Sequence, residues 1–198
     1  MPLIYTDVRS VVLISLLITV SFLLARYAEL NTKRAGCALF FLVGLLSIVC
    51  GFRNTNVGRD TGGYYRDIMS AMQGNSSVLL YYEYGFRLLV KTIVGLTGSV
   101  QCVFLIYALV TITLIIKRIW EMREKVAFSK TVLVFCCTTY YMLFSGFRQW
   151  LAVSIVFYAT RYIERKQYIK FIVLVVFASL FHTTALVGIA ILAINILF

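Results

Sequence analysis

The sequence predicts an all-α, polytopic integral membrane protein, and three observations lead to this fold class. Of the 198 residues, 61% are hydrophobic, only 14% are charged and one is proline, so the polar residues could not cover a soluble surface of this size. Apolar runs close to the length of about 20 residues that a helix needs to cross a bilayer recur along the chain. Basic residues, finally, gather in the connections between these runs, as they do in cytoplasmic loops.

We predict about six spanning helices from the apolar runs. The runs lie at about 8–25, 36–52, 99–116, 131–147, 149–163 and 170–198. Arg26 follows the first run directly and no small-residue cleavage site is present, so this run is interpreted as an anchor and not as a cleaved secretory signal. The last run would measure about 43 Å as one straight helix, whereas the hydrocarbon core is about 30 Å thick. We therefore expect it either to tilt strongly or to break near His182.

The domain organisation predicted from the sequence is simple. No internal repeat and no linker is visible, so we expect one transmembrane domain over residues 1–198. Residues 193–198 end within an apolar run without a polar tail. We therefore expect the chain to be the N-terminal part of a longer protein.

Three basic connections predict the orientation of the chain. Residues 26–34, 117–130 and 161–170 together hold 12 of the 19 lysines and arginines, and we assign them to the cytoplasm. The N-terminus, the region 53–98 and the turn at 145–148 then face the outside. The net charge of +11 is mainly a topology signal, and because it is dispersed over separate loops, nucleic-acid binding is not predicted.

The region 53–98 begins with a loop that holds the densest group of polar residues. Its charges balance, with three arginines and three carboxylates: Arg53, Arg59, Arg66, Asp60, Asp67 and Glu83. Local ion pairs in a solvated loop would explain this pattern. Three glycines, at positions 58, 62 and 63, would instead let the backbone bend closely around a ligand, which favours a site.

An amphipathic helix is predicted to follow this loop. Residues 82–94 carry apolar side chains at helical spacing, but they are too few and too charged to span a bilayer. The Gly-Leu-Thr-Gly-Ser sequence at 95–99 should end the helix. We expect it to lie at the outer interface of the membrane.

Arg148 and His182 are polar residues set among apolar runs. Arg148 lies in a short turn, where it either extends to the outer headgroups or forms part of a site, for which its planar donors suit a phosphate. His182 begins a His-Thr-Thr sequence about 18 Å along the last run from Lys170. A hydrogen-bonded structural histidine and a site exposed at a helix break both fit this position.

Several function classes lack their sequence motifs. The chain contains no Gly-x-Ser-x-Gly, no His-Glu-x-x-His, no P-loop and no dinucleotide fingerprint, so serine protease or metalloprotease chemistry, ATP hydrolysis and redox cofactors are not indicated. The five cysteines lie in apolar runs without Cys-x-x-Cys spacing and are expected to fill space in the core. No cofactor and no metal site is predicted.

Five short motifs in order resemble the EpsG family, which groups with the Wzy-type polysaccharide polymerases. They are Gly51-Phe52-Arg53, Val57-Gly58-Arg59-Asp60-Thr61 with Tyr64, Glu83-Tyr84-Gly85-Phe86, Phe147-Arg148-Gln149 with Leu151-Ala152, and Ala178 with Phe181-His182-Thr183-Thr184-Ala185. The likeness spans residues from about 50 to 190. It implies an integral-membrane glycosyltransferase similar to the lipid-phospho-sugar enzymes of the GT-C type, in the bacterial cytoplasmic membrane.

The resemblance also implies a reaction and partners. Repeat units carried on undecaprenyl diphosphate would be joined on the outer face of the membrane into an exopolysaccharide, capsule or O-antigen chain. A flippase and a chain-length regulator would be the protein partners.

This hypothesis gives the outward polar residues three roles. Arginines stabilise the leaving diphosphate, whose charge grows as the glycosidic bond breaks, a carboxylate or histidine removes the proton of the acceptor hydroxyl, and tyrosines stack on sugar rings. The candidates are Arg53, Arg59 and Arg148 for the diphosphate, Asp60, Glu83 and His182 for the proton, and Tyr64, Tyr65, Tyr81 and Tyr82 for the sugar. An interfacial aromatic belt would explain the tyrosines equally well.

Two other functions are compatible with the same residues. A ligase would transfer finished glycan from the same lipid carrier, and a transporter or flippase would move an anionic lipid-linked glycan without changing it. A transporter should use charged residues that face both sides of the membrane, whereas the unusual polar residues here are predicted to cluster outward.

Overall fold

The computed structural model describes residues 8–197, and this part of the chain forms helices and turns without any strand. The predicted all-α class is confirmed. The α-helices are α1 (Val8–Leu30), α2 (Ala35–Gly51), α3 (Thr61–Met72), α4 (Tyr84–Thr97), α5 (Val100–Glu121), α6 (Phe128–Thr138), α7 (Phe147–Glu164), α8 (Tyr168–Ser179) and α9 (Gly188–Leu197). Residues 1–7 and Phe198, and with them the predictions made for the two chain ends, lie outside the described residues.

Three helical segments are long and apolar enough to cross a membrane. They are Ser10–Leu30, Thr32–Gly51 and Val100–Glu121, and they match the first three predicted spans. The other apolar helices of the described chain are shorter, because each later run is interrupted by a turn or carries charged residues. Three of the six predicted spans are therefore present as single long helices.

The fourth apolar run is divided between α6 and the 3₁₀ helix Tyr140–Phe144, which together extend for about 26 Å. Near the start of α6, the hydroxyl of Ser129 donates to the Glu29 carboxylate of α1 at 2.6 Å. At the far end of the run, the carbonyl of Phe144 accepts a hydrogen bond from the Thr61 hydroxyl at 2.8 Å. The run thus passes from one end of the helix bundle to the other despite its interruption.

One end of the bundle carries a network of ion pairs between α5 and α7. Arg118, although buried, contacts the Glu164 carboxylate at 2.5 Å and donates to the Thr160 hydroxyl at 3.0 Å. Arg161 of α7 pairs with Glu121 of α5 at 2.7 Å. We call this the basic end, and it contains residues of the connections that the sequence assigns to the cytoplasm.

The opposite end is formed by residues 51–61, 83–85, 144–148 and 180–183, and we call it the loop end. α5 runs between the two ends and lies between two hydrophobic cores. One core contains its residues Phe104 and Tyr107 together with side chains of α3, α4, α7 and α8, and the other contains Ile112 and Ile116 together with α1, α2 and α6. This central helix fixes the position of the loop end relative to the rest of the bundle.

The last apolar run breaks, as one of the two sequence alternatives proposed. α8 ends, the chain reverses through residues 180–187, and α9 returns beside α8. Asn195 of α9 lines a cavity of about 500 Å³ together with Tyr168 at the start of α8, whereas one straight helix would hold these residues about 40 Å apart. The run 170–198 therefore contains two antiparallel helices, and His182 lies at the reversal.

The region 53–98 holds more helix than the sequence predicted. The helix at 82–94 is present as α4, which ends where Gly98 adopts a left-handed conformation with φ of +62°. α3 and the 3₁₀ helix Ser76–Tyr81 occupy much of the predicted loop. Gly62 and Gly63, which the sequence predicts to let a loop bend around a ligand, instead lie in the first turn of α3. The buried side chains of Tyr64 and Ile68, four residues apart, give this helix an inward face.

Gly58 fixes the loop before α3 against the 3₁₀ helix that follows α6. Its φ is +88°, and a Cβ atom at this position would lie 1.9 Å from the carbonyl oxygen of Phe144. Only glycine fits both the conformation and the contact. The close approach that the sequence suggested for a ligand is therefore made by the protein's own backbone.

Candidate functional site

Glu83, Arg148 and His182 meet at the loop end, although Glu83 is 65 residues from Arg148 and 99 from His182 along the chain. Oε2 of Glu83 accepts a hydrogen bond from Nη1 of Arg148. Oε1 of the same carboxylate lies 2.9 Å from Nδ1 of His182. The three side chains are between 16% and 24% exposed. We call these three residues the Glu83 cluster.

A backbone contact between α4 and the end of α8 brings Glu83 to His182. The amide of Gly85 donates to the carbonyl of Leu180 at 2.8 Å, and a Cβ atom on Gly85 would lie only 2.8 Å from the same oxygen. Glu83 precedes α4 in an extended conformation, and His182 is extended after the break in α8. Glycine at position 85 therefore permits the approach that pairs the two side chains.

Arg148 lies in the first turn of α7 and is surrounded by aromatic rings. Its Nε donates to the Tyr64 hydroxyl at 3.1 Å. Its guanidinium carbon lies 4.6 Å from the ring centroid of Tyr82 and 5.3 Å from that of Phe86, within the range of cation–π attraction. Nη2 has no hydrogen-bond partner among residues 8–197. The charge is thus held firmly while one NH₂ group stays available to a ligand.

Tyr82 is held by a second carboxylate, that of Asp67. The Tyr82 hydroxyl donates to Oδ2 of Asp67. Burial, together with this hydrogen bond, raises the pKa of Tyr82 above its ordinary value, so the hydroxyl keeps its proton. The pair fixes the tyrosine ring beside the guanidinium of Arg148.

Opposing influences act on the Glu83 carboxyl. Burial raises its pKa, but the hydrogen bond with His182 and the positive charge of Arg148 act more strongly in the other direction. The pKa of Glu83 is therefore below its ordinary value of 4.5, and the group is a carboxylate at neutral pH.

The geometry suits His182 to act as a base, with Glu83 as its orienting partner. An ionised carboxylate only accepts hydrogen bonds, so Nδ1 of His182 carries the proton in this contact. Nε2 of the neutral ring is then an acceptor that can take a proton from a hydroxyl group. Both oxygens of Glu83 are already engaged, by Arg148 and His182.

Arg53 lies apart from the Glu83 cluster and is 7% exposed. Its Nε donates to the Thr61 hydroxyl at 3.0 Å and its Nη1 to the Cys50 carbonyl at 2.8 Å. Its guanidinium carbon lies 4.8 Å from the ring centroid of Phe104. These contacts join the end of α2 to the start of α3, and diphosphate binding by Arg53 stays a prediction.

Arg59 and Asp60 are exposed at the loop end. The backbone amide of Arg59 donates to the Ser145 hydroxyl at 3.1 Å, and Asp60 precedes α3 without a capping hydrogen bond from its side chain. Within the described chain, neither side chain forms a hydrogen bond or ion pair with the Glu83 cluster. Tyr65, one residue beyond the Arg148 partner Tyr64, packs against the hydrophobic core.

The structure adds Asp67 and Phe86 to the surroundings of the cluster and places Tyr82, a sugar candidate from the sequence, beside Arg148. Asp67 was one charge among many in a predicted loop, and the helical spacing of Tyr64 and Ile68 was the signal that could have placed it on α3. Among residues 8–197, no group of three or more histidine, cysteine, aspartate or glutamate side chains that could hold a metal ion is found.

Fold and site together define the class of protein. The long apolar helices indicate a membrane protein. The part-buried cluster of histidine, carboxylate and arginine at one end of the bundle indicates a polar site near its surface. The model of the EpsG family matches residues 36–197. The chain belongs to the EpsG family, and the resemblance inferred from the motifs is confirmed.

Family membership indicates a membrane protein of polysaccharide biosynthesis, in a family associated with glycosyltransferase or polymerase activity. The match covers every residue of the Glu83 cluster and, apart from Ala35 at the start of α2, all helices from α2 to α9. Comparisons with curated proteins and with solved structures gave no match.

Proposed function

We propose that this protein is a polysaccharide polymerase that joins lipid-linked oligosaccharide repeat units, and that the Glu83 cluster is its catalytic site. The observation that carries the proposal is the position of Glu83 between Arg148 and His182. In glycosyl transfer the acceptor hydroxyl loses a proton and the leaving diphosphate gains negative charge. A base and a cation, held on opposite sides of one carboxylate, suit these two changes. Membership in the EpsG family supports the same reaction class.

In the proposed reaction, His182 accepts a proton at Nε2 from a sugar hydroxyl of the acceptor repeat unit. The hydroxyl oxygen forms a bond to the anomeric carbon of the donor, and the bond from that carbon to the diphosphate oxygen breaks. The diphosphate leaves with the electron pair, and the free Nη2 of Arg148 stabilises its growing charge. Glu83 stabilises the imidazolium of His182 that forms during the step.

The donor in this proposal is an oligosaccharide on undecaprenyl diphosphate, and the site faces the outside of the bacterial cytoplasmic membrane. The distribution of basic residues supports this orientation, because the ion-pair network of Arg118 and Arg161 lies at the opposite end of the bundle from the Glu83 cluster. The six-span topology, the GT-C likeness and the partnership with a flippase and a chain-length regulator belong to the same proposal.

The test of this function compares surface polysaccharide from cells that carry wild type, Arg148→Ala or Arg161→Ala at equal membrane protein levels. Arg161 is a matched control, because it is 17% exposed and paired with Glu121, as Arg148 is 16% exposed and paired with Glu83. We expect Arg148→Ala to accumulate single repeat units and lose long chains, and Arg161→Ala to retain them. An unchanged length distribution in Arg148→Ala would contradict the proposal.

The two alternatives give different results. If the protein were a ligase, Arg148→Ala would leave full-length glycan on its lipid carrier and would not change the chain length. A transporter would move lipid-linked oligosaccharide across purified vesicles without forming a glycosidic bond.

A further inference from the structure

An apolar groove of about 310 Å³ lies between α4, α5, α7 and α8, next to the Glu83 cluster. All its lining side chains are aliphatic or aromatic. A cavity of this kind does not hold ordered water, but it accepts an apolar ligand. The reaction proposed for the Glu83 cluster does not use the groove itself.

Three helices line the groove over the same length. The lining residues run from Ile106 to Leu114 on α5, from Leu151 to Tyr158 on α7, and from Phe181, just after α8, back to Leu174. Each set covers seven or eight residue steps, or about 10–12 Å. α5 and α7 run away from the loop end and α8 runs toward it, so Ile106, Leu151 and Phe181 are the lining residues of their segments that lie nearest the loop end. The groove is therefore elongated and parallel to the helices.

The groove begins directly beneath the Glu83 cluster. Phe181 lines its upper end and immediately precedes His182, and Leu151 lies about one helical turn beyond Arg148 on α7. A ligand that is anionic at one end and apolar at the other would contact the free Nη2 of Arg148 with its charged end. Its apolar part would then continue into the groove.

The dimensions fit one hydrocarbon chain. A volume of 310 Å³ over a length of about 10–12 Å corresponds to a cross-section of about 25–30 Å², enough for a single chain with methyl branches. Val110 and Phe177, which line the groove, are 39% and 47% exposed. The groove is thus open on one side, so a lipid chain can enter from the bilayer.

We propose that this groove holds the isoprenoid units nearest the diphosphate of the lipid carrier. The inference rests on the proposed function, which supplies the lipid-linked donor. Hydrocarbon of the bilayer is as apolar as the groove, so the groove adds little affinity and instead orients the donor. It directs the bond between sugar and diphosphate toward His182.

The test uses a polyprenyl diphosphate that carries a diazirine on its first isoprene unit, with the purified full chain in phospholipid vesicles. Val110→Trp fills the groove, and Leu109→Trp is the control, because Leu109 is 44% exposed on the same helix but does not line the groove. We expect photolabelling of wild type and Leu109→Trp, and at least a fivefold loss of labelling in Val110→Trp. Unlabelled polyprenyl diphosphate should compete, and added phospholipid should not.

Mapping the labelled peptides in the wild type makes the test independent of how well the variants fold. Label on α5, α7 or α8 at the groove residues supports the proposal. The proposal is overturned if the label lies elsewhere or is absent, since the groove would then hold no lipid carrier. It is also overturned if phospholipid competes as strongly as polyprenyl diphosphate, since the groove would then hold ordinary bilayer lipid. Labelling needs no turnover, so a labelled wild type that forms no glycosidic bond would contradict the polymerase function and leave the groove assignment standing.

Discussion

At the residue scale, Glu83 is the centre of the site because it pairs at once with two residues from distant segments of the chain. Arg148 holds one of its oxygens and His182 the other. Aromatic rings and the Tyr64 hydroxyl also hold Arg148, whose Nη2 stays free. Such preorganisation keeps the charges in place before substrate binds, which is how a polar site lowers the free energy of a charged transition state.

The lowered pKa of Glu83 predicts how the stability of the protein depends on pH. Glu83→Gln leaves Arg148 part-buried without its counter-charge, which should cost about 1–3 kcal/mol in the free energy of unfolding at pH 7. A carboxyl whose folded-state pKa is lowered stabilises the protein above its ordinary pKa of 4.5 and loses this contribution as pH falls through the folded-state value.

Thermal unfolding in detergent between pH 7 and pH 3 checks this prediction. Below about pH 5 the difference between wild type and Glu83→Gln should shrink toward zero as Glu83 takes up a proton. Glu124→Gln is the control, since Glu124 is exposed in the turn before α6. A difference that grows as pH falls from 5 to 3 would contradict the assigned ion pair.

The sequence singles out isolated polar residues but does not specify the contacts between segments. Arg148 and His182 stand out because a polar side chain among apolar residues needs a partner. The identity of that partner depends on the approach of Gly85 to Leu180, which no local pattern specifies. Arg53, like Arg148, is an arginine next to an apolar run. It is buried between α2 and α3, however, and therefore has different contacts.

At the element scale, the break between α8 and α9 creates the site. A continuous helix would carry His182 past the loop end, whereas the reversal places it beside the start of α4. The length of the last apolar run predicted a tilt or a break, but not the return of α9 beside α8. That return depends on packing, since a Cβ on Gly188 would lie 2.9 Å from a methyl group of Val175.

Gly85→Ala should separate α4 from the break and weaken the contact between Glu83 and His182. The new methyl group would lie 2.8 Å from the Leu180 oxygen, which is backbone and cannot move aside. We expect at least a tenfold loss of polymer synthesis and a lower melting temperature. Gly95→Ala, on the same helix with no atom within 4 Å of the added Cβ, should keep activity and gain up to about 1 kcal/mol of stability. Equal activity of both variants would show that the Gly85 contact does not position the site.

At the scale of the whole molecule, two groups of charged residues lie at opposite ends of the bundle. Buried or paired arginines join α5 and α7 at the basic end, and the Glu83 cluster lies at the loop end. Lysine and arginine mark the cytoplasmic side of membrane proteins. The separation therefore predicts that substrate reaches the site from outside the cell.

Cysteine accessibility tests this orientation. Tyr81→Cys at the loop end, where Tyr81 is 92% exposed, should react with a membrane-impermeant maleimide in intact spheroplasts. Lys125→Cys at the basic end, where the lysine side chain is 64% exposed, should react only after the membrane is opened. Labelling of the unmodified protein gives the background from its five cysteines. The reverse pattern would place the Glu83 cluster in the cytoplasm.

The most direct test of the central claim is the rate of glycosidic bond formation by purified protein for wild type, Glu83→Gln, His182→Gln and the double variant. If the two residues act as one unit, each single variant should lose most of the activity, and the double variant should be about as slow as the slower single variant. Losses that multiply in the double variant, or a single variant that keeps the wild-type rate, would contradict the claim that Glu83 acts through His182 in one catalytic site.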